Sequence, residues 1–218
     1  MTVLRIDASI QGDRSASSAL ADIAVREIRT SHSEEAVVTR HLGADPLPAD
    51  AWATAVTAGF ADPAQHSDAQ RSALTLARTL ATELAEADAA VLALPLYNWG
   101  VSQHVKTWID LAIAGATPGT RLLDGTPVVL LTTRGGSYAP GTPKEGWDHS
   151  IDYLKRILAD VWGADLTVVE RELTLVGVNP ALDQFAELGA AAKQQAETAA
   201  ADAGRSLAGR LGTRAAAA

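Results

Sequence analysis

Three short stretches carry residue types from which a small-molecule site can be built. The first is Ser9-Ile10-Gln11-Gly12-Asp13-Arg14-Ser15-Ala16-Ser17-Ser18. It leaves an apolar, β-rich run and enters a helical pattern, so its hydroxyls sit where free helix N–H groups and the positive dipole end also point. Ser9, Ser15, Ser17 and Ser18 can donate to phosphate oxygens, and Arg14 can add a charge-assisted bond. The stretch has neither the Gly-Lys-Ser/Thr ending of a Walker loop nor the glycine triplet of a dinucleotide fingerprint, so it suits a phosphate monoester. The second stretch is Pro95-Leu96-Tyr97-Asn98-Trp99-Gly100. Tyr97 and Trp99 can wall a flat ring, and Asn98 can meet a ring edge that shows both donors and acceptors. The third is Thr132-Thr133-Arg134-Gly135-Gly136-Ser137-Tyr138. Its glycine pair lets backbone N–H groups lie against a heterocycle's carbonyls. Each stretch also has a plain structural alternative: a serine N-cap behind a polar turn, aromatics closing the core, and a tight Gly-Gly turn.

Other chemistries find little support. The chain has no cysteine, which removes disulfides, thiolate metal sites and a cysteine nucleophile. Five histidines, His32, His41, His66, His104 and His149, form neither His-x-x-x-His nor His-Glu-x-x-His, so no metal is expected. There is no Gly-x-Ser-x-Gly elbow. With 18 basic and 26 acidic side chains the formal net charge is −8, and no basic stripe interrupts it, so no nucleic-acid partner is expected. No apolar run approaches the roughly 20 residues that span a bilayer. The first residues read as a strand rather than a signal segment. The expectation is a cytoplasmic protein without a membrane partner.

The elements that must position these stretches alternate along all 218 residues. Strands are predicted at Val3–Ala8, Val37–Leu42, Ala89–Leu94, Pro127–Thr132 and Leu166–Glu172. Helices are predicted at Ser17–Thr30, Ser67–Ala87, Ser102–Ala114, Ser150–Trp162 and Pro180 to about Leu207. Residues 43–66, broken by Pro46, Pro48, Gly59 and Pro63, read as loop with room for one short helix. Ala89–Leu94 and Pro127–Thr132 are apolar throughout and have no face for solvent. Such strands belong in a parallel sheet covered by helices on both sides. Five strands fit an α/β, flavodoxin-like fold with a parallel sheet of order 2-1-3-4-5. Its crevice lies at the switch point between strands one and three, so the three stretches fall on the edge this rule selects. One domain over residues 1–210 is expected, with 211–218 a disordered tail.

Taken in order, the three stretches resemble the FMN-dependent NADH-azoreductase family, a branch of the flavodoxin-like quinone reductases. The similarity lies in Ala8-Ser9-Ile10 with Ser15-Ala16-Ser17, in Pro95-Leu96-Tyr97-Asn98-Trp99 and in Thr133-Arg134-Gly135-Gly136. It extends through Val105-Lys106-Thr107-Trp108-Ile109-Asp110 and Leu154–Trp162. The resemblance implies that Ser9, Ser15, Ala16 and Ser17 hold the FMN phosphate. It implies that Leu96, Tyr97, Asn98 and Trp99 line the isoalloxazine ring, and that Thr133, Arg134, Gly135 and Gly136 contact its polar edge. Tyr97 and Asn98 would set ring position, and Tyr138 would touch substrate. The resemblance also implies a homodimer and ping-pong hydride transfer from NADH or NADPH to a small-molecule electron acceptor, a quinone or an azo compound.

The chain departs from the family in two places, and at one of them Arg14 stands where an aromatic or small residue is more usual. Members usually carry an aromatic-rich insertion before the fourth strand, and here residues 115–125 contain no aromatic side chain. The segment Tyr138–Trp147, with Pro140 and Pro143, is placed to take over part of a lid. Three other readings stand beside an enzyme of quinone or azo reduction. They are a flavodoxin-like electron carrier, a biosynthetic tailoring flavoenzyme with a changed substrate, and a partner protein that has lost flavin.

Overall fold

The computed structural model describes residues 1–33 and 36–217; residues 34, 35 and 218, and the side chains of 214–217, lie outside the described residues. Five strands, β1 (Thr2–Asp7), β2 (Ala36–His41), β3 (Ala89–Ala93), β4 (Pro127–Thr133) and β5 (Asp165–Arg171), form one sheet in the order β2-β1-β3-β4-β5. All four pairings are parallel, as the sequence leads one to expect. The central strands β3 and β4 are buried at every residue, which is why their sequences lack alternation.

Six helices cover the sheet: α1 (Ala16–Ser31), α2 (Ala51–Ala58), α3 (Asp68–Ala85), α4 (Gln103–Gly115), α5 (Ile151–Lys155) and α6 (Ala186–Ala217). On one face α1 and α6 pack Leu20, Ala24, Ile28, Ala200 and Leu207 against Val3, Val91 and Val129. On the other, α2 to α5 pack Ala55, Leu80, Leu84, Ile109 and Leu154 against Ile6, Leu92 and Leu130. Trp108 of α4 meets Trp162 edge-on, with ring centroids 5.5 Å apart. Both indoles are fully buried and anchor that layer.

One local feature matches the sequence expectation and two differ from it. The short helix allowed within 43–66 is α2, one turn past Pro48. The helix expected over Ser150–Trp162 changes character after Lys155, and Trp162 N–H bonds the Ile157 carbonyl five residues back at 2.8 Å. It still stops at Gly163, whose φ of +83° suits a residue without Cβ. Helix α6 runs on to Ala217, past the end expected near Leu207 and through the expected boundary at 210. Leu207 and Leu211 are both buried there, and the alanine-rich stretch contains no proline to end the helix.

Candidate functional site

The carboxyl ends of β1, β3 and β4 deliver the three stretches to one cavity of about 610 Å³. That volume lies in the range of roughly 300–1,000 Å³ that small-molecule sites occupy. The first stretch supplies Ser9, Gln11, Arg14, Ala16 and Ser17 to its wall. A single turn at Gly12–Arg14 brings the chain around to α1, which Ser15 caps by accepting from Ser18 N–H at 3.0 Å. Among the described residues no acceptor pairs with the N–H groups of Ala16 and Ser17. These are orphan donors at the start of a 16-residue helix, beside two hydroxyls and a guanidinium. The donor set fits a phosphate.

The second stretch is a strained turn. Tyr97 N–H donates to the Gly100 carbonyl at 3.3 Å, and Gly100 N–H returns a bond to Tyr97 at 3.0 Å. The two residues between them, Asn98 and Trp99, have φ of +47° and +63°. Asparagine tolerates this left-handed region, but an indole-bearing residue rarely does. Strain of this kind persists only where neighbours hold it. Here His149 N–H bonds the Trp99 carbonyl at 2.9 Å, and the Trp99 ring meets Trp147 edge-on at 6.0 Å. The Tyr97 hydroxyl bridges back to the first stretch, 3.2 Å from Ser9 Oγ and 3.2 Å from Ile10 N. Leu96 is tied to the fourth strand through its N–H and the Thr133 carbonyl at 3.0 Å. The Asn98 side-chain amide has no protein partner among the described residues and lines the cavity.

The third stretch is organised by a segment that follows β5. The carbonyls of Arg134, Gly135 and Gly136 accept from Thr174, Leu175 and Leu173 N–H at 3.1, 3.1 and 3.2 Å. Their opposite side is left to the cavity. Among the described residues the N–H groups of Gly135 and Gly136 have no acceptor, and both residues line the wall. A Cβ on Gly135 would lie 2.7 Å from Leu175 Cδ1, so glycine serves packing there as well. Two unpaired amides facing an amphipathic cavity suit the carbonyl-bearing edge of a heterocycle. With the phosphate donors at the far stretch and the Tyr97–Trp99 wall between, the residues present fit FMN.

Eleven of the thirteen side chains singled out from sequence line this cavity: Ser9, Ala16, Ser17, Leu96, Tyr97, Asn98, Trp99, Thr133, Gly135, Gly136 and Tyr138. Ser15 and Arg134 do not. Ser15 is buried behind the wall, with its Oγ on Ser18 N–H and 3.2 Å from Ser17 Oγ. Arg134 turns inward with a side chain 7% exposed and pairs with Asp148 at 2.6 Å, Glu170 at 2.5 Å and Glu172 at 3.6 Å. Its guanidinium is therefore spent on carboxylates rather than held at a ring edge.

This buried cluster fastens the segment Tyr138–Trp147. Burial pushes the Asp148 carboxyl up, but N–H bonds from Ile151 and Ser150, with Arg134's bond and charge, outweigh it and leave its pKa below the ordinary value. Glu172 accepts from Ser137 Oγ at 2.6 Å and from Tyr138 N–H at 2.9 Å. The Tyr138 ring lies between two cations, 5.8 Å from the Arg134 guanidinium and 5.5 Å from Lys144 Nζ. Burial, with Asp148 and Glu172 adding against Arg134, raises the Tyr138 phenol. It stays an O–H donor at neutral pH.

The sequence reading missed Gln11, Lys144 and the trio Thr174, Leu175 and Val178, all on the cavity wall. The signal for the trio was available. They follow the carboxyl end of β5, on the same edge as the others. Among the described residues no cluster of His, Cys, Asp and Glu is arranged for a metal. Among the described residues no helix is long and apolar enough to cross a membrane.

Comparison with known proteins agrees with this fold. Residues 1–201 match the family described as flavodoxin-like fold. The FMN-dependent NADH:quinone oxidoreductase of Streptomyces avermitilis is 38% identical over 96% of this chain and 98% of its own. A protein of the same name from Frankia casuarinae is 38% identical over 91% of this chain and 96% of its own. Among solved structures, azoreductase from Bacillus anthracis superposes with a TM-score of 0.74 at 20% identity, covering 94% of this chain and 99% of that one. At that identity it speaks for the fold alone. The match over residues 1–201 and the nearly end-to-end identity to these curated relatives show that the chain belongs to the FMN-dependent NADH:quinone oxidoreductase family, built on the flavodoxin-like fold.

Proposed function

We propose that the protein is an FMN-dependent oxidoreductase that passes a hydride from NADH or NADPH to a quinone or azo compound. Over one cycle NADH, a quinone and a proton give NAD⁺ and the hydroquinone. FMN, when bound, supplies the two-electron relay. The chain supplies orientation and electrostatics. The α1 amides, Ser9, Ser17 and Arg14 would hold its phosphate. The Tyr97–Trp99 turn would position its ring, and the Gly135 and Gly136 amides would donate to its carbonyls. The observation that carries this reading is the convergence of three unpaired donor sets on one cavity: helix amides, the Asn98 amide and the glycine-pair amides.

A donor and an acceptor that use the opening of this cavity in turn would give ping-pong turnover. Exposed aromatic and apolar side chains at the rim, Trp99, Trp147 and Val178, support a homodimer in which a second copy covers that opening. A site that consumes NADH also favours the cytoplasm. The test is steady-state oxidation of NADH by FMN-loaded protein with a quinone as acceptor. Parallel double-reciprocal plots and a solution mass of two chains are expected. Bound FMN without NADH-dependent quinone reduction would leave the electron-carrier reading in its place, and a monomer with full activity would remove the dimer.

A further inference from the structure

In a chain of formal net charge −8, the cavity is lined by two cations, Arg14 and Lys144, and by no carboxylate. The two belong to different ends of the site. Arg14 precedes α1, after β1, whereas Lys144 follows β4. Strand β3 lies between, which separates the two strand ends by roughly 10 Å across the sheet. Arg14 and the α1 amides already suffice for the cofactor's phosphate. Lys144 is left without an anion to match it.

Lys144 does not behave as a surface lysine. Its loop is exposed on both sides, yet the side chain is half-buried and held against the Tyr138 ring. Its Nζ lies 3.5 Å from the point that a Cβ on Gly136 would occupy. Among the described residues no carboxylate pairs with it. Neighbouring Glu145 accepts from Gly141 N–H at 2.8 Å instead, and Asp148, Glu170 and Glu172 are drawn to Arg134. An ammonium at the cavity wall that pairs with no carboxylate among the described residues can donate a charge-assisted hydrogen bond to an incoming anion.

We propose that Lys144 is a specificity-determining cation, receiving an anionic group of the ligand that enters the cavity after FMN, so that phosphate-, carboxylate- or sulfonate-bearing donors and acceptors are preferred over uncharged ones. The proposal rests on the FMN reading above. The shared chemistry has two sources, the phosphates of the nicotinamide donor and an acidic substituent on the acceptor.

The primary test uses redox-inert probes on the FMN-loaded protein, read by perturbation of flavin absorbance. Naphthalene-1-sulfonate should bind about tenfold more tightly than its neutral isostere naphthalene-1-sulfonamide. That ratio should fall toward one in Lys144→Met and survive in Lys144→Arg. In the wild-type protein it should also shrink as salt rises, a measurement that needs no variant. Two kinetic arms then separate the sources. One compares NADH with N-benzyl-1,4-dihydronicotinamide, and the other 1,2-naphthoquinone-4-sulfonate with 1,2-naphthoquinone. A wild-type ratio near one, or a ratio unchanged in Lys144→Met, overturns the proposal while bound yellow flavin leaves the cofactor reading standing. A protein that takes up no FMN defeats both.

Discussion

Asn98 shows how one residue can serve backbone and ligand together. Its φ of +47° suits asparagine or glycine, and its amide is unpaired at the cavity wall. Asn98→Gly keeps the turn and removes the amide; Asn98→Ala removes the amide and adds about 1 kcal/mol of backbone strain. Both should weaken FMN binding by about tenfold, the loss expected for one or two hydrogen bonds. Equilibrium dialysis against FMN reads this directly, and wild-type affinity in both variants contradicts the placement of Asn98. Arg134 is the opposite case. A cation beside two glycines in the sequence reads as a ligand contact, but the carboxylates that capture it, Asp148, Glu170 and Glu172, lie 14 to 38 positions away in the chain and form no local pattern. The three-dimensional pairing makes its own prediction. Asp148 has a depressed pKa in the fold, so its contribution is present above the ordinary carboxylate value near 3.9 and is lost as pH falls through the lower folded value. Asp148→Asn should therefore cost about 2 kcal/mol in urea unfolding at pH 7, a gap that narrows below about pH 4. A gap that stays constant with pH would show that the charge pair contributes nothing.

At the scale of elements, strand order and the buried character of β3 and β4 were legible because a parallel strand must be apolar on both faces. Where α6 ends was not legible, because Gly209 and Gly212 read as a helix stop, yet Leu211 between them finds a buried place in the α1–α6 layer and the helix runs on. The five-back hydrogen bond before Trp162 left no mark either, since it follows from seating that indole against Trp108. The start of α1 divides two roles that look identical in sequence. Ser15 caps the helix from behind the wall, and Ser17 stands on it. Ser15→Ala should lower stability by about 1 kcal/mol and weaken FMN only indirectly. Ser17→Ala should leave the cap in place and weaken FMN while riboflavin, which lacks the phosphate, binds as before. Thermal unfolding of the free protein and parallel titrations with FMN and riboflavin separate the two. Equal effects of both substitutions on FMN and riboflavin would remove the phosphate assignment.

For the whole molecule, the parallel sheet gathers residues from positions 9 to 178 onto one edge, and this convergence turns weak local signals into a site. A ligand held by three segments of the chain must couple to global stability. At a hundred times its dissociation constant FMN should stabilise the fold by about 2.7 kcal/mol. For a domain of this size that corresponds to a rise in Tm of about 5–11 °C. An unshifted Tm under saturating FMN would mean that the ligand does not bind the folded chain.

The most direct measurement is an anaerobic absorbance titration of the purified protein with FMN, followed by NADH and then a quinone. The account predicts one flavin per chain with a perturbed visible spectrum, bleaching by NADH and recovery of the yellow colour on adding the quinone. Flavin whose spectrum stays that of free FMN and which passes through dialysis would contradict it.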